Sequence, residues 1–187
     1  MSCVTIQPPS GNHRLAKLVA HFQQQRKQTE RDDVDCYRKK SSLAQAITSA
    51  ARAERNDGQR HSHQWRLGDD VITKSERALQ AAKASLATCK DFDALHKTVK
   101  DALALIPGAG VLFIYDTAFR LGIFLNIHPD KVYLHRGTRE GAANLGLPSE
   151  KPYLEMSELL PELRIMTPAD VEDFLCIYKD SFKRRIN

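Results

Sequence analysis

Apolar residues recur along most of this chain at a spacing near 3.6 rather than 2, and that period commits it to helices packed on one another. Leu15, Leu18, Val19 and Phe22 form one such stripe. Ser42-Leu43-Ala44-Gln45 reads as a capping box that opens a second helix, with Leu43, Ala46, Ile47, Ala50 and Ala51 on its inner face and a stop near Asn56-Asp57-Gly58. The polar stretch from Gly58 to Gly68 predicts a loop. A long alanine-rich helix is expected from about Asp70 to Thr88, through Ile72, Leu79, Ala82 and Leu86. Asp91-Phe92-Asp93 caps the next helix, which carries Phe92, Leu95, Val99, Leu103 and Ile106 on one face. It ends at Pro107-Gly108, because proline cannot continue the hydrogen-bond ladder. Another helix begins after Gly110. Thr167-Pro168-Ala169-Asp170 joins an N-cap, a proline at the first helical position and an acid three residues on, which predicts a last helix through Val171, Phe174, Leu175 and Tyr178. Lys131 to Leu134 is compatible with a short strand or a helical turn. The expected fold is therefore mainly α, a compact multi-helix domain with little or no sheet.

With 187 residues, 42% of them hydrophobic and 27% charged, the chain has material for one domain or two small helical lobes, which excludes disorder throughout. No run of about 18 apolar residues is present, and no apolar stretch follows a basic start, so a cytoplasmic protein with no membrane partner is expected. Cys3, Cys36, Cys89 and Cys176 lie far apart with no CxxC pair; reduced thiols, with no zinc site and no cofactor, are expected. The net charge of +5 is unevenly spread: residues 1–66 hold twelve lysines and arginines against six acids, and the last 51 residues are slightly acidic. This divides the chain into a basic N-terminal helical region, 1–66, and a helical remainder, 67–187, although no linker composition marks the boundary. Arg26, Lys27, Arg38, Lys39, Lys40, Arg52, Arg55, Arg60 and Arg66 form either a cationic surface or a solvated face. Lys183, Arg184 and Arg185 read as a soluble tail.

The most specific local feature is Leu105-Ile106-Pro107-Gly108-Ala109-Gly110 between two amphipathic helices. Two glycines within three residues permit positive backbone torsions and strip side chains from the turn, so that peptide N–H groups lie beside the start of the following helix. Such a donor set suits a phosphate oxygen and holds nucleic acid without reading its bases. The alternative is a tight helix–helix turn with no ligand.

Ile106-Pro107-Gly108-Ala109-Gly110 resembles the helix-hairpin-helix motif, here spanning about 91–126, whose hairpin grips a DNA backbone phosphate in known families. The resemblance implies a DNA-binding protein acting on duplex or structured, including damaged, DNA. More distantly, residues 90–147 resemble the helix-hairpin-helix DNA glycosylases, in which a catalytic aspartate follows the hairpin by about twenty residues. Asp130 stands at that distance, and the resemblance implies that it stabilises the cationic sugar as the base leaves. Leu112 occupies the position of the nucleophilic lysine of bifunctional members, so only a monofunctional enzyme is implied. Lys131-Val132-Tyr133 also departs from the family pattern after the aspartate. Asp130 as a simple turn or cap residue is the alternative.

Two further patches mix aromatic and cationic residues. Tyr133, His135, Arg136, Thr138 and Arg139 offer a base-stacking ring and phosphate ligands if they share a cleft with the hairpin; otherwise they are a surface turn and a helix start at Thr138. Arg60, His61, His63, Trp65 and Arg66 place the only tryptophan between two arginines, which suits a stacked base, while a tryptophan closing the core is the plainer reading. His61 and His63 lack the further ligands of a metal site. Asp116 is expected to pair with Arg120 at i, i+4. Three functions remain open from sequence: a DNA-binding protein, a glycosylase-like enzyme using Asp130, and a helical scaffold or interaction protein.

Overall fold

The computed structural model describes residues 13–61 and 64–183, and within α1 the side chains of residues 27–35 lie outside that description. Cys3, His63, Arg184 and Arg185, and the side chain of Lys27, accordingly fall outside the described residues. The chain is mainly helical: α1 (His13–Arg38), α2 (Leu43–Ala51), α3 (Asp69–Ala81), α4 (Lys83–Thr88), α5 (Phe92–Leu103), α6 (Val111–Leu125), α7 (Arg136–Asn144) and α8 (Pro168–Phe182). A two-stranded antiparallel sheet pairs β1 (Val132–Tyr133) with β2 (Tyr153–Leu154), matching Val132 to Leu154 and Tyr133 to Tyr153. Among the described residues no helix is long and apolar enough to cross a membrane.

Local chemistry sets most helix ends. The side chains of Ser42, Asp91 and Thr167 accept from the amides of Gln45, Ala94 and Asp170, as their sequences predict. At the end of α6, Asn126 takes the left-handed conformation (φ 57°) and the Ile127 amide reaches back 2.8 Å to the Gly122 carbonyl. Three boundaries differ from expectation. The helix predicted over 70–88 is divided at Ala82 into α3 and α4, with no glycine or proline at the break. α2 ends at Ala51 because Ala53 turns left-handed (φ 53°) and the Glu54 amide closes the end on Ser49 O, 3.0 Å away. α7 starts at Arg136, two residues before Thr138, because the imidazole of His135 is its cap.

Burial separates two apolar clusters. One joins α2 to α6 around Ile47, Leu79, Leu95 and Leu121; the other joins β1, α7, β2 and α8 around Leu154, Leu163 and Phe174. α1, 26 residues and thus about 39 Å long, serves both. Its Leu15, Val19 and Phe22 enter the second cluster, where Phe22 meets Phe174 edge to face at 5.5 Å, and its Tyr37 enters the first. The Tyr37 hydroxyl bonds the carbonyls of Ser49 and Glu54 at 3.2 and 2.8 Å, so this large buried side chain also ties down the end of α2.

α7 lies unusually close to α8. A Cβ placed on Gly141 would stand 2.1 Å from the Leu175 carbonyl oxygen, and one on Gly137 would stand 2.6 Å from Cys176 Sγ. Glycine at i and i+4 is what lets the backbones approach. Gly141→Ala is expected to force the helices apart and to cost roughly 1–3 kcal/mol or more, lowering the melting temperature by several degrees; calorimetry or a denaturant titration measures it.

Candidate functional site

The predicted hairpin, Ile106 to Gly110, lies in the 104–110 connection between α5 and α6, which pack against each other. Gly108 has φ +95°, a torsion that requires glycine, and a Cβ there would come within 3.1 Å of Val71 on α3. The turn closes on itself: the Ala109 amide donates to Ile106 O at 3.1 Å and the Gly110 amide to Gly108 O at 2.9 Å. The Ala109 and Gly110 amides are therefore engaged within the turn. The open donors lie one step on, in the first turn of α6, where the amides of Val111, Leu112 and Phe113 have no intrahelical acceptor and Gly110 supplies no side-chain cap. Pro107, Gly108 and Gly110 are exposed and Ala109 is half-buried.

That first turn faces a broad cleft of about 1180 Å³ whose opposite side is the start of α7. Gly110, Val111 and Leu112 line it at the start of α6, Leu134 and His135 between β1 and α7, Arg136, Gly137, Arg139, Glu140 and Ala143 from α7, Ser149 and Glu150 from the loop after it, and Cys176 and Lys179 from α8. The fold thus joins the hairpin end to the His135–Arg139 segment, two patches singled out separately in the sequence. Two helix N-termini, each with a partial positive charge, open on one space.

The predicted ligands differ in what they already hold. Arg136 is exposed at the first position of α7, and among the described residues no hydrogen bond or ion pair occupies its guanidinium. Arg139 donates to the carbonyls of Ser149 and Leu134, bracing the 146–152 loop against β1. Lys179 pairs with Glu140 at 2.6 Å, and Lys183 with the same carboxylate at 2.7 Å; the two ammoniums hold Glu140 down at about 2. Tyr133 does not face the cleft lining. Its ring packs with Phe92, His96 and Tyr115, its hydroxyl donates to Asp93, and burial with that carboxylate raises its ionisation far above the usual phenol range. Asp130 is exposed in the bend before β1, outside the residues that line the cleft.

His135 is buried, and its hydrogen bonds define its state. Nδ1 accepts the Gly137 amide at 3.2 Å, so the ring proton is on Nε2, which faces the Glu172 carboxyl and the Thr138 hydroxyl at 2.6 Å. Thr138 also donates to Glu172 Oε1 at 3.0 Å. This triad locks the start of α7 onto α8. Burial, then the neighbouring Asp173 and Asp116, push the Glu172 carboxyl well above the ordinary glutamate value.

Around it the charges continue across elements. Arg26 of α1 pairs with Asp170 at 3.2 Å and with Asp173. Arg120 and Asp116 form the expected i, i+4 pair at 3.8 Å, joined by buried Gln64, which donates to Asp116 and accepts from Arg120 at 3.1 Å. Arg60, expected as a phosphate ligand, donates to Leu67 O at 2.7 Å and Asp69 at 3.3 Å and so folds its own loop. Trp65 is 65% exposed, which excludes the core-closing reading, and the Arg66 guanidinium lies 5.2 Å from its ring centre. Among the described residues no group of three His, Cys, Asp or Glu is placed to hold a metal ion.

Glu172 and Gln64 were not singled out in the sequence, and Cys176 was read there only as a reduced thiol. Glu172 had a signal, an acid between Val171 and Phe174 on the inward face of α8, where a buried partner is required. Because its ionisation is raised on folding, the stability it contributes is fully present below about pH 4.5 and declines as pH rises through the raised value. Melts from pH 5 to pH 8 are expected to show falling stability in the parent and a flatter profile in Glu172→Gln; equal slopes would remove this assignment.

Compared with known families, curated proteins and solved structures, the chain matches no family model, no curated protein and no solved structure.

Proposed function

We propose that this chain binds DNA through its backbone phosphates, in the cleft where α6 and α7 begin. The observation that carries the reading is the convergence of the uncapped start of α6, the start of α7 and the uncommitted Arg136 on one cleft. Helix N-termini present amides and a positive dipole to an anion, and a guanidinium adds a bidentate phosphate ligand. The likeness of Ile106–Gly110 to a helix-hairpin-helix turn supports the same chemistry. Contacts of this kind hold the backbone and tolerate any base sequence. The reading assigns binding rather than bond cleavage, since Asp130 stands outside the cleft.

Fluorescence anisotropy with labelled DNA at low salt tests it. Arg136→Ala is expected to weaken binding several-fold and to reduce the salt dependence by about one phosphate contact. Lys97→Ala, on α5 and already held by Asp101 at 2.6 Å, is expected to leave affinity unchanged. Gly110→Asp is sharper: an added Cβ there meets nothing within 4 Å, and aspartate is a better N-cap, so the protein stays folded and α6 is no less stable. Its carboxylate nevertheless occupies the anion position, and affinity is expected to fall at least tenfold. Absence of DNA affinity at low salt, or full affinity in both cleft variants, would refute the proposal.

A further inference from the structure

Residues 64–68 carry a second exposed feature outside the cleft lining. Trp65 is 65% exposed, yet its neighbour Gln64 is only 4% exposed and is held by Asp116 and Arg120. The indole is thus presented from an anchored backbone. Its anchor is α6, the helix whose first turn bounds the cleft. Asp116 is four residues after Leu112, which places it on the same helix face, about 6 Å further along the axis. The Arg66 guanidinium lies over the ring, 5.2 Å from its centre, and, like Arg136, has no carboxylate partner among the described residues.

We infer that Trp65 is a stacking platform for an unpaired base whose flanking phosphates are held by Arg66 and by the cleft, so that the preferred ligand is single-stranded DNA. This rests on the phosphate-binding reading above. In a duplex the base faces are covered by their neighbours, and only an unpaired base offers a π-face to an indole. Stacking on an aromatic ring is indifferent to base identity, which agrees with contacts that read only the backbone.

Trp65 is the only tryptophan in the chain, so its emission reports on this position alone. The full chain is titrated at low salt with oligo-dT of about twelve nucleotides, within the span a small single-strand binder covers, and separately with a blunt duplex. Oligo-dT is expected to bind more tightly than duplex and to quench the emission. Trp65→Ala is expected to weaken oligo-dT binding about 5- to 150-fold, the range found for loss of one stacked base, while Trp65→Phe retains most of the affinity and duplex binding is unmoved. Circular dichroism checks that these surface variants remain folded. Binding that depends on Arg136 with unchanged emission, or a Trp65→Ala variant with unaltered preference, overturns the stacking platform and leaves the phosphate cleft standing. Binding to neither DNA overturns the cleft reading, and the platform with it.

Discussion

The close contact of α7 with α8 is the constraint on which the rest of the site depends. Gly137 and Gly141 remove the Cβ atoms that would hold the two backbones apart, and His135, Thr138 and Glu172 fill the resulting seam with hydrogen bonds. Neither half suffices alone. Without the glycines the imidazole and the carboxyl would not meet, and without partners a carboxyl buried at 4% exposure would be strongly destabilising. One consequence is positional: the first turn of α7 is aimed at the first turn of α6, and the cleft between them exists.

A second consequence concerns charge. The basic excess of residues 1–66 suggested a cationic lobe, yet the fold distributes much of it among carboxylates. Arg26 is engaged by α8, Arg52 by Glu76 at 3.1 Å, Arg55 by Asp57 at 3.5 Å and Arg60 by Asp69. A cation held by a carboxylate contributes little attraction to a distant phosphate at ordinary salt. Arg136, at the cleft, and Arg66, beside Trp65, hold no carboxylate among the described residues. The relevant charge is local, and the chain total of +5 is a poor guide to it.

Sequence legibility follows the range of the interactions involved. Ser42, Asp91, Thr167 and Pro168 set helix starts through contacts three residues away, and each was readable. His135 as a cap was not, because imidazole is an uncommon capping group and its second nitrogen needs Glu172, 37 residues later. The hairpin was visible as a turn, but its amides turned inward through Ile106 and Gly108 carbonyls, a choice between two closures that the same glycines permit. Tyr133 read as a stacking ring and became part of an aromatic core, since Phe92, His96 and Tyr115 reach it from α5 and α6.

The sequence by itself determined that this is a mainly helical protein, where most helices start, and that Pro107-Gly108 breaks the chain between α5 and α6, because apolar period, caps and proline act within one or two turns. Only the tertiary structure decided which of the many cations remain free, that Trp65 stays outside the core, and that residues near 110 and near 136 share a cleft. Those outcomes depend on approaches between segments far apart in sequence, above all the glycine-permitted contact of α7 with α8 and the anchor of Gln64 on Asp116 of α6, 52 residues away. Such contacts are set by shape and by competition for partners, which no local pattern of residues records.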